Sequence, residues 1–353
     1  MIAREFVSSE SPNATRGGAG GRPCQGLWYA NAKPRVGVIA SHYDIDFSEH
    51  YLAELLAERG LGFLGWNTRY RGAGAYFSLN NAITDIAVGV SWMRETAGVD
   101  TVVLLGNSGG ASLMAAYQAR ALAGAESLIQ ADLFISLNAH PGRPDVLTTW
   151  MDPSLTDEAD PASVDRALDM FNPDHGPPYG PDFIARYRAG QTARNQRITD
   201  WCHAELDRLR PAGVRDRVFP VFRTWADLRF LDLAMDASQR EVGCYAGDPA
   251  TANRGSFGLA SSCTLRSWLA MWSLSDSDCR AEPHLAAITQ PGLVVQSDAD
   301  QGCYLSDART IYAALGSEDK TLEVLKGDHY FLSPPGMGGT VADLVATWVD
   351  ARI

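Results

Sequence analysis

The chain has 353 residues, of which 46% are hydrophobic and 20% are charged, a composition typical of a globular protein with a large core. Its 42 acidic and 30 basic side chains give a formal net charge of −12, which argues against nucleic-acid binding because affinity for phosphate requires clustered Lys and Arg. No apolar run is long enough to cross a membrane, and the first residues lack the apolar core of a secretory signal, so we predict a cytoplasmic protein.

The chain divides by pattern into four segments. Residues 1–23 are predicted to be an N-terminal segment that is partly flexible, because residues 9–23 are rich in Ser, Gly and Pro. Residues 24–140 and 257–353 alternate short apolar runs with helical periodicity, the pattern of a parallel sheet with helices on both faces. Residues 141–256 show no clear succession of strands, and we predict that they form a mainly helical cap inserted into the core.

Six β-branched or apolar runs are the predicted strands, over residues 36–40, 63–66, 102–106, 133–137, 292–296 and 322–325. Their nearly continuous apolarity suits strands that are buried on both faces of a parallel sheet. Ser48 is predicted to cap a helix that stops at Gly60. Further helices are predicted over residues 110–122, 198–209, 259–274 and 306–315 and at the C-terminus.

A G-x-S-x-G motif, Gly106-Asn107-Ser108-Gly109-Gly110, lies between a predicted strand and a predicted helix. A sharp strand-to-helix turn holds the central residue in a strained conformation and lifts its hydroxyl above the sheet. Glycines at the flanking positions avoid collisions across the turn, and the helix N-terminus favours an oxyanion. The motif predicts that Ser108 is a nucleophile; the alternative is a Gly-rich turn with an idle serine.

A serine nucleophile needs a base, and the base needs an acid that orients it. Two loops that follow late predicted strands contain both residue types: Asp298 and Asp300 in the first loop, and His329 in the second. The carboxyl ends of strands in an open α/β sheet are where ligands and catalytic groups gather. The chain order Ser108, Asp300, His329 is the order found in α/β-hydrolases.

On these residues the chain resembles the α/β-hydrolase superfamily, over about residues 35–140 and 257–353. The resemblance implies a doubly wound, mostly parallel α/β sheet, a Ser–His–Asp triad and no metal or organic cofactor. It makes Asp300 the acid, as the aspartate of the G-x-x-D pattern after the seventh strand, with Ser297 in place of the glycine. Asp298 and Asp145 stay open as alternative acids.

The resemblance also implies an oxyanion hole made of two backbone N–H groups. One is that of Gly109, and the other comes from the loop after residues 36–40, with Tyr43 the first candidate and His42 the second. The side chain of Tyr43 either narrows the acyl pocket or packs in the core. His42, His140 and Trp225 are the candidate pocket residues.

No metal site is predicted, because His140 has no second ligand at metal-binding spacing and the six cysteines form no CxxC pair. Free buried thiols are expected instead of disulfides.

The predicted function is hydrolysis of a carboxylic ester or a lactone through an acyl-enzyme. The aromatic residues of the cap and the negative net charge favour a neutral, apolar or aromatic small molecule; alternatively, those aromatics form the core of the cap itself. An amidase or an acyltransferase with the same triad is an alternative, as is a non-catalytic small-molecule-binding protein on the same scaffold. No nucleic-acid or membrane partner is expected, and a homo-oligomer is left open.

Overall fold

The computed structural model describes residues 2–12, 24–125 and 128–353. The chain forms two compact units. The first consists of Met1–Gly74, Ser78–Gly142 and Arg280–Ile353, and the second of Ala75–Phe77 and Arg143–Cys279. Most of the Gly-rich segment that we predicted to be flexible, from residue 13 to residue 23, lies outside the described residues.

The strands, numbered in chain order, are β1 Ala3–Ser9, β2 Cys24–Ala30, β3 Val36–Ala40, β4 Gly62–Asn67, β5 Thr101–Ser108, β6 Leu133–Ala139, β7 Val218–Phe219, β8 Cys263–Thr264, β9 Gly292–Ser297 and β10 Lys320–Leu325. The α-helices are α1 Ala53–Glu58, α2 Leu79–Trp92, α3 Gly110–Leu122, α4 Arg143–Trp150, α5 Pro181–Leu209, α6 Pro249–Arg254, α7 Leu265–Ser267, α8 Glu282–Leu285, α9 Leu305–Ala314 and α10 Met337–Asp350.

The first unit is built on an eight-stranded sheet with the order β1-β2-β4-β3-β5-β6-β9-β10. The pairs β1–β2 and β2–β4 are antiparallel, and the other pairs of this sheet are parallel. Strands β3, β4 and β6 are buried along their whole length, which explains their continuous apolar sequence. The six predicted strands are confirmed, to within two residues at each end.

Helices cover both faces of this sheet, as predicted. On one face, Leu56 of α1 and Val341 and Val345 of α10 share a core cluster with side chains of β3, β5, β6 and β9. On the other face, α2 approaches the sheet so closely at Gly89 that a Cβ there would lie 2.9 Å from Ile39. The absence of a side chain at Gly89 thus allows α2 to pack closely against β3.

The prediction missed two strands of the first unit and the start of one helix. The missed strands are β1, which lies in the N-terminal segment, and β2, which pairs with it at the edge of the sheet. Ser48 does not cap a helix, because α1 begins only at Ala53 with Leu52 as its N-cap. The hydroxyl of Ser48 instead accepts a hydrogen bond from Asn67 Nδ2 at 2.8 Å.

The regular secondary structure of the second unit is mainly helical, and its longest element is the 29-residue helix α5. The helix predicted over residues 198–209 is the C-terminal part of α5, which begins at Pro181. Residues 259–274, predicted to be one helix returning to the core, form the short α7 and a π turn, and both lie in the second unit. The cap formed by residues 141–256 stays a prediction.

Among the residues that the structure describes, no helix combines the length and the apolar character that a membrane span requires.

Candidate active site

Ser108 is the last residue of β5 and has a φ of 55°, in the left-handed region that residues other than glycine rarely adopt. The glycines around it are required by space: a Cβ at Gly106 would lie 2.4 Å from Ala111 Cα. A Cβ at Gly110 would lie 2.3 Å from the carbonyl oxygen of Ser41. The chain therefore has the strained strand-to-helix turn that the motif predicts, with α3 starting directly behind Ser108.

His329 and Asp300 form a buried pair. Nδ1 of His329 lies 2.6 Å from Oδ2 of Asp300. The other oxygen of Asp300 accepts hydrogen bonds from the backbone N–H groups of Gly302 and Cys303, both at 2.9 Å. Because an ionised carboxylate can only accept, Nδ1 is the donor, and Nε2 of the neutral imidazole is left as an acceptor. This is the tautomer that a general base needs.

The alternative acids have other positions. The backbone N–H of Asp298 donates to Leu325 O at 2.9 Å, and its carboxylate accepts from Gly327 N at 3.1 Å. Asp298 therefore ties the loop after β9 to the loop after β10. Asp145 lies in the first turn of α4, in the second unit. Of the three candidates, Asp300 is the one that pairs with His329.

The end of β6 connects the serine, acid and histidine segments. The side-chain amide of Asn138 donates from Nδ2 to the carbonyl of His329 at 2.8 Å and accepts at Oδ1 from Ser297 N at 2.7 Å. Two residues later, His140 N donates to the carbonyl of Ser108 at 3.3 Å. Asn138 was not singled out from the sequence; the available signal was an amide directly after a predicted buried strand.

A second buried side-chain amide, that of Asn107, makes hydrogen bonds directly before Ser108 in the chain. Nδ1 of His50 accepts from Leu52 N at 3.2 Å, so Nε2 carries the proton and donates to Asn107 Oδ1 at 3.1 Å. Asn107 Nδ2 donates to Leu137 O at 2.8 Å. Burial lowers the pKa of His50 to about 4, so the ring is neutral at pH 7. Neither His50 nor its link to Asn107 was identified from the sequence.

The loop after β3 lies against the start of α3. The side chain of Tyr43 is fully buried, and its hydroxyl is 2.9 Å from Ser112 Oγ, so it packs in the core of the first unit. Nδ1 of His42 accepts from the N–H groups of Asp44 and Ile45 at 3.4 and 3.3 Å. Gly109 is the N-cap residue of α3. The roles of the Gly109 and Tyr43 amides as oxyanion donors stay predictions.

The candidate pocket residues lie in different units. His140 is buried in the first unit, where its ring nitrogens lie 3.5 and 3.6 Å from Cys303 Sγ. Trp225 is buried in the second unit, its ring 4.9 Å from that of Trp150, and its Nε1 donates to Phe257 O at 2.7 Å. This geometry favours the interpretation that the aromatic residues form the core of the second unit.

Three side chains of the candidate active site are of types that bind metal ions. Asp300, Cys303 and His329 are all buried, and one potential ligand atom from each lies within 4.8 Å of the other two. None of the six cysteines forms a disulfide, and all six are buried, as predicted.

The amino-acid sequence matches no family model, and no curated protein matches it. Solved structures do resemble it. DcsB, solved in complex with its substrate analogue, is 12% identical with a TM-score of 0.53, covering 99% of each chain. The α/β hydrolase GrgF from Penicillium sp. sh18 is 13% identical with a TM-score of 0.52, covering 99% of this chain and 97% of its own.

Est1E from Butyrivibrio proteoclasticus is 12% identical with a TM-score of 0.50, covering 92% of this chain and 93% of its own. At such identities the likeness establishes the fold alone. Together with the strand order, it shows that this chain has the α/β-hydrolase fold, as the resemblance predicted.

Proposed function

We propose that the protein is a serine hydrolase that cleaves a carboxylic ester or a lactone. The observation that carries this proposal is the buried 2.6 Å pair of His329 and Asp300. The two residues follow the carboxyl ends of parallel strands of the same sheet in which Ser108 ends β5 in a strained turn. A structural turn has no need of a serine at φ 55°, and a structural histidine has no need of a buried carboxylate on Nδ1. Their combination on the α/β-hydrolase fold supports catalysis over simple binding.

The chemistry starts with Ser108. His329 Nε2 takes the proton of the Ser108 hydroxyl while Oγ attacks the acyl carbon, and the Asp300 carboxylate stabilises the imidazolium that forms. His329 then gives that proton to the leaving alkoxide as the carbon–oxygen bond breaks. Water, deprotonated by the same imidazole, attacks the acyl-enzyme and releases the acid.

The tetrahedral oxyanion is stabilised in this proposal by two backbone donors, the N–H groups of Gly109 and Tyr43. The contact between Gly110 and the Ser41 carbonyl supports the pairing of these two segments, because it holds the loop after β3 against the first turn of α3. His42 is the second candidate donor. Its buried ring, held by two backbone N–H groups, fixes the shape of this loop.

The net charge of −12 supports a neutral substrate over an anionic one. The aromatic cluster around Trp150 and Trp225 gives this assignment no added weight, because its members pack against one another inside the second unit. The proposal therefore extends to neutral esters and lactones as a class. The cytoplasmic location stays a prediction of the sequence.

The test is covalent labelling with a fluorophosphonate, read by intact mass. We expect a single adduct on the wild type and none on Ser108→Ala. Ser136→Ala is a matched control, since Ser136 is a buried serine of the neighbouring strand β6 and its hydroxyl has no hydrogen-bond partner among the described residues. This control should be labelled like the wild type. A folded wild type that forms no adduct would overturn the proposal and favour a binding protein.

Product analysis separates hydrolysis from the other reactions of the same triad. Wild-type protein that has not been treated with the fluorophosphonate is incubated with a neutral aryl ester, the corresponding anilide and a primary alcohol as acceptor. We expect release of the free acid from the ester. Faster turnover of the anilide would identify an amidase, and transfer of the acyl group to the alcohol in preference to water would identify an acyltransferase.

A further inference from the structure

Cys303 brings a thiol to the acid and base of the candidate active site. It follows Asp300 by three residues, and its backbone N–H already holds the Asp300 carboxylate at 2.9 Å. Its sulfur, the carboxylate and the His329 imidazole each place a potential ligand atom within 4.8 Å of the other two. None of the proposed hydrolytic steps uses this thiol, so the cluster has chemistry beyond the triad.

We propose that Asp300, Cys303 and His329 bind a divalent zinc ion, with a water molecule as the fourth ligand. Zinc in proteins is bound by thiolate, imidazole and carboxylate in a tetrahedral arrangement, and these three side chains supply one sulfur, one nitrogen and one oxygen. The spacing of the residues in the sequence resembles no zinc motif, which is why no metal site was predicted from it.

His140 lies beside Cys303 but is not oriented as a ligand. Its two ring nitrogens lie 3.5 and 3.6 Å from Cys303 Sγ, nearly the same distance. A zinc ion bound to the sulfur and to the lone pair of one ring nitrogen would leave the other nitrogen about 5 Å from the sulfur. His140 therefore contacts the thiol without completing the metal site.

The distance between the acid and the base has to increase when zinc binds. Oxygen and nitrogen ligands of one tetrahedral zinc ion lie about 3.3 Å apart, whereas Asp300 Oδ2 and His329 Nδ1 are 2.6 Å apart in a hydrogen bond. Zinc binding therefore replaces the hydrogen bond between acid and base. The thiol proton goes to solvent, and the imidazole proton moves from Nδ1 to Nε2 as Nδ1 takes the metal.

This exchange has a consequence for catalysis, which rests on the proposed function. With the metal on Nδ1 and the proton on Nε2, His329 has no lone pair to accept the proton of Ser108. Zinc at this site is thus an inhibitor that competes with the active tautomer of the base. Removing the ion restores the hydrogen bond and the activity.

Metal binding can be measured without any substrate. Cobalt(II) is added to the metal-free protein, and the sulfur-to-cobalt charge-transfer absorption is followed, with zinc added afterwards as competitor. We expect this absorption in the wild type and in Ser108→Ala, which retains all three protein ligands but has no nucleophile. Cys202→Ser, which removes a buried thiol of the second unit, should also keep it. Zinc should displace the cobalt in all three.

Cys303→Ser should abolish the charge-transfer absorption, and Asp300→Asn should weaken metal binding by roughly 100-fold or more, beyond what loss of an outer-shell partner costs. Asp300→Asn also serves if Cys303→Ser does not fold. A folded wild type without the absorption, or a Cys303→Ser protein that keeps it, would overturn the metal site. If Ser108→Ala binds cobalt and the wild type hydrolyses no ester, the metal site stands and the proposed hydrolase function fails.

Discussion

The side-chain amide of Asn138 holds the backbone of His329, donating from Nδ2 to its carbonyl oxygen at 2.8 Å. The same amide accepts from Ser297 N at 2.7 Å, so one side chain at the end of β6 sets the distance between the loops that carry the acid and the base. Asn138 has a φ of 41°, a conformation that asparagine tolerates better than most residues. It is a positioning residue for the proposed triad.

Asn138→Ala should therefore lower kcat more than it changes KM. Loss of the Asn138 amide leaves the His329 carbonyl without its hydrogen-bond donor. Misplacement of a catalytic group by about 1 Å costs on the order of 100-fold in rate. The free energy of unfolding should fall by about 1–3 kcal/mol, because buried backbone groups lose their partner. Steady-state kinetics and urea unfolding measure the two effects.

The matched control is Asn195→Ala in the second unit. Asn195 is also a buried amide clamp, which donates to Trp272 O at 2.9 Å and accepts from Leu274 N at 3.0 Å. It should lose similar stability and keep its kcat. Equal losses of kcat in both variants would mean that Asn138 acts only through stability.

The pair Asp300 and Asp298 provides a test of the acid. Asp300→Asn keeps the size of the side chain but removes the charge and favours the wrong tautomer of His329, so kcat should fall by about 10³–10⁴-fold. Asp298→Asn keeps an oxygen that can accept from Gly327 N, and kcat should change by less than about tenfold. Ester hydrolysis under saturating substrate measures both. A larger loss in Asp298→Asn than in Asp300→Asn would exchange the two roles.

Gly110→Ala should unfold or strongly destabilise the first unit. The added Cβ would lie 2.3 Å from the Ser41 carbonyl oxygen, and neither backbone segment has a flexible end that could move away. We expect a loss of about 3 kcal/mol or more in the free energy of unfolding, at or above the usual range for overpacking. Gly180→Ala is the control, because a Cβ at Gly180 meets no atom within 4 Å. Denaturant unfolding that gives both variants wild-type stability would contradict this packing.

Because His50 is buried in its neutral form, it should lower the free energy of unfolding at acidic pH relative to pH 7. Its pKa is lowered from 6.5 to about 4 in the folded state by burial, so between these two values the unfolded chain binds a proton that the folded protein does not. Stability is unaffected above about pH 6.5, falls as the pH is lowered toward 4, and levels off below it. The full loss is on the order of 3 kcal/mol.

The measurement is the free energy of unfolding as a function of pH for the wild type and for His50→Gln. Glutamine does not titrate, so the slope between pH 6.5 and pH 4 should become shallower, although the variant is less stable at pH 7. Identical slopes in the two proteins would show that His50 titrates alike in the folded and unfolded chain.

The sheet was predictable where its strands are buried on both faces. Residues 133–137 are apolar except for Ser136, and they form the core of β6. Strand β1 was missed because most of its residues are exposed at an edge, so its sequence carries no run of apolar side chains. The start of α1 was missed for a different reason: Ser48 is used in a tertiary hydrogen bond to Asn67, which competes with helix capping.

The triad candidates could be chosen from chain order and strand ends, whereas the preference for Asp300 over Asp298 came only from the resemblance to a known family. Both aspartates follow the same strand, and which carboxylate reaches His329 depends on the backbone turn that Gly302 and Cys303 make around Asp300. The contacts of Asn138 and His50 depend on pairing between distant segments. Single-sequence patterns carry no information on such pairing.

The clamp between Asn138 and Ser297 joins residues that are 159 positions apart in the chain. Strand β6 can pair with β9 only after the whole of the second unit has been synthesised, so β6 is an open sheet edge during translation. Such long-range parallel pairing slows folding. Ser108 is therefore synthesised long before Asp300 and His329, so the proposed triad forms only when the last segment docks. A chain truncated before residue 292 would lack two members of that triad and would be prone to aggregate.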